Sequence, residues 1–354
     1  MKILVIQQKM IGDVLASSIV CNNIKALFPE AKVDYLIYPF TAAVIENNPN
    51  IDEVLLFKEE FRSSKKAFFN FLLSIRKRKY DIVIDAYGKL ESNLIVALSG
   101  ADKKIGFYKK YTQFIYSKTI HEIAAPLTPA GTALENRMNL LTPLLQNSNI
   151  TLDPKPKIFL TAAEIENGKR LLQQYEIEPS KKIFMIGVLG SEFRKTYPFP
   201  FMATILDAIV QETDATLLFN YMKSQQQDAQ NIFDLCAPAT QKNIKIKLVP
   251  GSIREFLSIT HHCNALIGNE GGAVNMAKAL NVPTFTLFST WIIKEAWNSF
   301  ENGTTNVSVH LKDFKPELYG EKTAKEMKAV ALDLYQKYTP DLFVLKVKQF
   351  VREN

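Results

Sequence analysis

The sequence predicts an α/β protein built from two doubly wound, Rossmann-like halves, each a parallel sheet covered by helices on both faces. Short apolar runs rich in β-branched residues recur along the chain and alternate with longer amphipathic stretches, the pattern of buried parallel strands joined by helices. The alternation pauses at Asp153-Pro154-Lys155-Pro156, an extended punctuating segment, and resumes beyond it. At 354 residues the chain is long enough for two separate cores.

The first half opens on Lys2-Ile3-Leu4-Val5-Ile6, a buried-strand run. A turn, Gln7-Gln8-Lys9-Met10-Ile11-Gly12-Asp13, leads into a helix with Val14, Leu15, Ile19, Ile24 and Leu27 on its apolar side, ending near Phe28-Pro29. Further strands are expected at residues 33–37, 53–57, 82–85 and 104–107. A helix over about 162–175 begins the second half, followed by strands at 183–188, 216–220, 244–248, 265–268 and 284–288. Residues 323–351 form helices interrupted at Thr339-Pro340.

Composition narrows the class. The hydrophobic share of 47% is that of a globular protein, and charges interrupt every apolar run well short of the roughly 20 residues of a membrane span. Met1 to Ile6 is too short for a signal-peptide core. Cys21, Cys236 and Cys263 form no Cys-x-x-Cys pair, which favours a reduced, cytoplasmic protein. His121, His261, His262 and His310 have no metal spacing, there is no Asp-x-Asp motif, and neither a metal nor a cofactor is expected. Charge is concentrated: from Lys58 to Lys118 there are 14 Lys/Arg against 6 Asp/Glu, a net of +8 in a chain whose total is +7. Half of these cations suit solvated helix surfaces. The rest suit a phosphorylated lipid acceptor or an anionic membrane surface, with no nucleic-acid motif beside them.

One turn carries chemistry on its face. After Ala265-Leu266-Ile267, the segment Gly268-Asn269-Glu270-Gly271-Gly272-Ala273-Val274-Asn275 enters a helix that stops at Asn281-Val282-Pro283. The first amides of a helix have no internal partner and carry its positive dipole end, and glycine lets a phosphate reach them. Glu270 can accept from sugar hydroxyls beside that phosphate. An ordinary strand-to-helix turn explains the segment equally well on its own.

Taken together, the two turns resemble those of the heptosyltransferase family of lipopolysaccharide synthesis, glycosyltransferase family 9. That family opens on a strand, a loop ending Gly-Asp and a helix, matched at Gly12-Asp13. Its late Asn-Asp-(Ser/Thr)-Gly-x-x-His-x-Ala-x-Ala-Leu-Gly-x-Pro motif is matched from Asn269 to Pro283. Asp81 to Gly88, Lys104-Ile105-Gly106-Phe107, the loop Gly190 to Pro198, and Ser252-Ile253-Arg254-Glu255 resemble further family segments, in the family's order.

The resemblance implies the GT-B fold, two Rossmann-like domains facing a cleft that closes on its substrates. It implies an acceptor-binding domain over residues 1–158 and a nucleotide-sugar domain over 159–334, with a terminal helix of about 335–354 packing back on the first. Asp13 becomes the general base toward the acceptor hydroxyl, although an acid at a helix start also serves as a cap. Lys195 becomes the cation that stabilises the departing nucleoside diphosphate. Gly12, Ser191, Arg194, Gln226, Glu270, Gly271, Gly272, Ala273 and Asn275 become donor-binding residues. Gln226 stands where the family often places a ribose-binding acid. Lys294, Glu295 and Trp297 could border the nucleotide or acceptor, with core packing the main role of Trp291 and Trp297.

Three departures bear on the donor. Glu270 and Asn275 replace the family's Asp and His, and Gln7-Gln8 replace small residues that would leave the pocket wider. The implied activity is inverting transfer of a heptose-type sugar from a nucleoside-diphosphate donor, ADP-heptose first, to the lipopolysaccharide inner core, at the cytoplasmic face of the inner membrane. The alternatives are a catalytically silent sugar-nucleotide-binding homologue and a transferase for another nucleotide sugar. An oxidoreductase is disfavoured, because no Gly-x-Gly-x-x-Gly follows the first strand.

Overall fold

Strand β1 (Lys2–Ile6) is the centre of the first sheet, with Ile3 opposite Val33 on one side and Ile82 on the other. In the computed structural model, which describes residues 1–145, 150–178, 180–320 and 322–354, the chain divides into two units, Met1–Phe159 and Leu160–Asn354. The first holds β2 (Lys32–Ile37), β3 (Glu53–Leu56), β4 (Ile82–Asp85), β5 (Lys103–Phe107) and β6 (Lys118–Ile120) in the order β3-β2-β1-β4-β5-β6. All of its pairings are parallel. Ile3, Leu4, Val5 and Ile6 are fully buried, because a strand covered on both faces has no polar side.

Helices α1 (Ile11–Leu27), α2 (Lys65–Lys77), α3 (Leu90–Leu98) and α4 (Thr132–Asn139) cover this sheet. α1 packs on α4, while α2 and α3 pack together and contribute Leu72, Ile75, Ile95 and Val96 to one cluster over Leu4, Ile6 and Val83. The strand order reverses at β1, whose chain continues to β2 on one side and whose other neighbour is β4. Ligands of open α/β sheets bind beside the carboxyl ends of strands at such a switch point. The Gln7–Asp13 turn leaves β1 there.

The second unit has the order β11-β10-β9-β7-β8, again all parallel, from β7 (Ile183–Gly187), β8 (Thr216–Phe219), β9 (Ala265–Asn269), β10 (Thr284–Leu287) and β11 (Asn306–Val309). Its helices include α5 (Ala162–Gln174), α6 (Phe199–Thr213), α7 (Gln226–Leu235), α8 (Ile253–Thr260), α9 (Gly272–Ala279) and α10 (Val344–Glu353). Here β7 and β9 flank the reversal, so the 188–197 loop and the Glu270–Gly272 turn leave the sheet at its switch point.

Two expectations are corrected. Residues 244–248 make a single bridge to β8, Ile244 against Leu217, and then turn away toward Pro250, so they are not a strand. The short strands β6 and β11 were not anticipated, their three and four residues being too few to show alternation. Within the second unit α10 packs on α6, and Phe343, Val347, Phe350 and Val351 belong to the core, with Phe350 edge-on to Phe285 of β10.

Candidate active site

Asp13 lies in the first turn of α1, where the helix leaves amides unpaired. Its Oδ2 accepts from the Met10 backbone N–H at 3.3 Å, so it does cap the helix. Its Oδ1 accepts from Arg137 of α4 at 2.7 Å. Arg137 is nearly buried, and its other donors go to Ser17 Oγ (2.7 Å) and the Ala133 carbonyl (2.7 Å). Ser17 donates to Gln7 Oε1 at 3.3 Å, and Gln7 Nε2 donates to the Lys9 carbonyl at 2.7 Å. A carboxylate with 27% of its side chain exposed is thus clamped from behind by a guanidinium, leaving an accessible edge. Gly12 is half-buried in the same turn.

The long amides of the first turn do not project as the sequence suggested. Gln7 and Gln8 are both buried, and the Gln8 amide has no hydrogen-bond partner among the described residues. Beside the turn a cavity opens among Lys9, Tyr38, Pro39, Phe40, Glu59 and Arg62.

The second unit builds its turn in the opposite sense. Gly271 has φ of +149°, a conformation that side chains other than glycine rarely adopt, and precedes α9 without any side-chain cap. A Cβ on Gly271 or Gly272 would meet nothing within 4 Å. No side-chain cap occupies the first amides of α9, and Ala273 and Asn275 are half-buried in its first turn. Glu270 precedes the glycines, and Lys195 Nζ lies 3.2 Å from its Oε1, off hydrogen-bond direction, so the contact is an ion pair.

Buried polar contacts fix the loop that carries Lys195. Asn269 donates to the carbonyls of Gly187 (2.9 Å) and Val188 (3.1 Å) and accepts from the Tyr197 N–H (2.7 Å), which bolts the loop to the end of β9. Gly190 cannot carry a Cβ, which would lie 2.3 Å from the Lys195 carbonyl oxygen. Trp291 donates to the Arg194 carbonyl at 3.3 Å, and Lys195 stands 5.5 Å and Lys328 4.3 Å from its ring centre. Lys328 also pairs with Glu192 at 2.9 Å. Tyr335 donates to the same Arg194 carbonyl, and its burial, with Glu270 nearby, pushes its hydroxyl well up, so it stays neutral.

The remaining expected residues fall as follows. Ser191 and Arg194 are exposed on the loop. Gln226 is exposed at the start of α7, whereas its neighbour Gln225 donates to the Gly190 carbonyl at 2.8 Å and so touches the loop directly. Lys294 and Glu295 line a cavity with Trp291 and His310, Lys294 being paired with Asp313 at 2.9 Å. Trp297 is 44% exposed, so it does not pack in the core, while Trp291 packs partly against it. Sequence reasoning missed Arg137, Asn269, Gln225 and Lys328 as site residues.

Family comparison fits this geometry. Glycosyltransferase family 9 (heptosyltransferase) matches over residues 69–325. The chain belongs to that family and is a glycosyltransferase. It is 24% identical over 294 residues to lipopolysaccharide heptosyltransferase 1 of Campylobacter coli, an overlap of 81% of this chain and 84% of that protein. Among solved structures, the family 9 glycosyl transferase of Veillonella parvula DSM 2008 superposes with a TM-score of 0.72 at 14% identity, covering 95% of this chain and 97% of that one. The E. coli heptosyltransferase WaaC with ADP-2-deoxy-2-fluoro heptose gives 0.65 at 14% identity, covering 96% and 99%. These likenesses show the fold, GT-B for a family 9 glycosyltransferase.

Proposed function

We propose that this family 9 enzyme transfers a heptose-type sugar from ADP-heptose to an inner-core lipopolysaccharide acceptor, with inversion and without a divalent metal. The observation that carries the donor side is the pairing of bare α9 amides, open space over Gly271 and Gly272, and the Lys195 ammonium at Glu270. Helix amides and a lysine together supply the positive charge that a departing diphosphate needs. The relatives named for lipopolysaccharide heptosyl transfer, and the relative solved with an ADP-heptose analogue, support the choice of sugar and nucleotide.

In the proposed step the Asp13 carboxylate takes the proton of the acceptor hydroxyl. The freed oxygen bonds to the anomeric carbon of the donor, and the bond from that carbon to the phosphate oxygen breaks. The diphosphate leaves with the electron pair, its charge met by Lys195 and the amides of α9. Glu270 accepts from sugar hydroxyls once the diphosphate has drawn Lys195 away.

Thermal denaturation with ADP, UDP and GDP tests the donor. ADP at about 100 times its Kd should add about 2.7 kcal/mol of apparent stability. Lys195→Ala should remove most of the effect. Stabilisation by UDP or GDP but not ADP would overturn the nucleotide, and turnover abolished by EDTA and restored by Mg²⁺ would overturn the metal-free reading.

A further inference from the structure

We infer that the outward face of α2, α3 and the 3-10 turn Gln113–Ile115 in the first unit is a docking surface for an anionic lipid bilayer. α3 carries the argument. Its buried side is Ser92, Asn93, Ile95 and Val96, while Leu90, Leu94 and Leu98 are 72%, 39% and 40% exposed. Spacings of four residues place those three leucines in one row, on the side of the helix opposite its buried residues. A helix that packs with one face normally presents polar residues on the other. This one presents leucine to solvent on the face that leads away from the core.

The neighbours extend the patch and supply charge. α2 packs on α3, and α3 on the 3-10 turn. α2 exposes Phe69 (55%) and Leu73 (41%), and the turn exposes Phe114 (82%). α2 has no acidic residue in its sequence KKAFFNFLLSIRK, and Lys65, Lys66, Arg76 and Lys77 are all exposed. Arg78, by contrast, is committed to Glu53 (2.6 and 2.7 Å) and Asp34 (3.5 Å), so it serves the fold and not the patch.

Apolar side chains interleaved with cations on one surface match the two layers of a bilayer interface, acyl boundary and phosphate. A protein partner would account for the leucines but not for a helix of cations free of acids, and nucleic acid would account for the cations alone. No helix among the described residues is long and apolar enough to cross a membrane, so attachment is to the surface. The inference does not rest on the donor assignment, because it is read without nucleotide sugar.

Co-sedimentation with vesicles of phosphatidylcholine, with and without phosphatidylglycerol, tests it. The native protein should bind anionic vesicles at least about tenfold more tightly than neutral ones. The triple variant Leu90→Ser, Leu94→Ser, Leu98→Ser should lose at least about tenfold in binding and keep a steep salt dependence. The triple variant Lys65→Gln, Lys66→Gln, Lys77→Gln should lose a similar amount and most of its salt dependence. Both should match the native protein in circular dichroism and in melting temperature. Undiminished vesicle binding by both variants would overturn the inference, as would equal native binding to neutral and anionic vesicles. So would a leucine variant whose only change is a lower mass by sedimentation equilibrium, which would make the face a protein interface.

Discussion

The turn after β1 and the turn after β9 are the same device, a strand passing into a helix at a sheet's switch point, completed in opposite ways. In the first, side chains fill the space: Asp13 bonds the Met10 amide, and Gln7, Ser17 and Arg137 close in behind it. In the second, two glycines leave the space for a side chain empty and no side chain caps the helix amides. The charges are mirrored too. One turn presents an acid held by Arg137 at 2.7 Å, the other a lysine held by an acid, Glu270, at 3.2 Å. A base must be a fixed anion with one accessible edge, whereas an anion site must keep its donors unspent. The contrast is what supports the proposed division, with proton transfer at the first turn and diphosphate binding at the second.

The largest expected effect separates base from cap. Asp13→Asn keeps an acceptor for the Met10 amide but cannot take a proton, so turnover should fall by about 100-fold or more with nucleotide affinity retained. Near-native turnover, accompanied only by a lower melting temperature, would leave Asp13 as a cap. A smaller effect is expected from Arg137→Lys, which keeps the charge but loses the fork that joins Asp13, Ser17 and the Ala133 carbonyl. It should lower kcat by about tenfold with KM for the donor unchanged, since the clamp positions the base and does not touch the nucleotide. A change in donor KM alone would break the division of labour.

Much of this arrangement was legible in the sequence, and the reasons differ for the parts that were not. Apolar runs such as Lys2–Ile6 and Ala265–Asn269, and the glycine pair after the latter, are local signals that the fold keeps. Arg137 was invisible because its partner Asp13 lies 124 residues away, and nothing in α4 marks one arginine as buried. Gln225 and Gln226 look alike in sequence, and only the helix start decides which one reaches Gly190. The amphipathic pattern of α10 shows that one face is buried but not against what, and only the fold supplies α6 as its partner. Arg78, one of four consecutive cations, is distinguished from its neighbours only by Glu53 and Asp34.

A separate expected effect concerns acid, and it falls on the second unit alone. Burial, with Lys294 acting in the same sense and Asp313 against it, holds His310 down to about 4 from an ordinary 6.5. Its Nδ1 accepts from the Lys312 N–H at 3.1 Å, which requires the neutral ring, with Nε2 directed at the Ser289 carbonyl at 3.1 Å. The unfolded chain therefore binds the extra proton first. Stability is complete above pH 6.5 and declines as pH falls toward 4, by up to about 3 kcal/mol. Urea melts of the native protein and His310→Gln between these limits check this; parallel slopes would show that His310 is not the group responsible.

Titration of ADP into the native protein, Asp13→Asn and Gly272→Leu tests the central claim most directly. Gly272 has ordinary backbone geometry and open space before it, so leucine should fold without strain while filling the room over the α9 amides. The account predicts that Asp13→Asn binds ADP as the native protein does, and that Gly272→Leu binds at least about tenfold more weakly at an unchanged melting temperature. Native ADP affinity in Gly272→Leu, or its loss in Asp13→Asn, would contradict it.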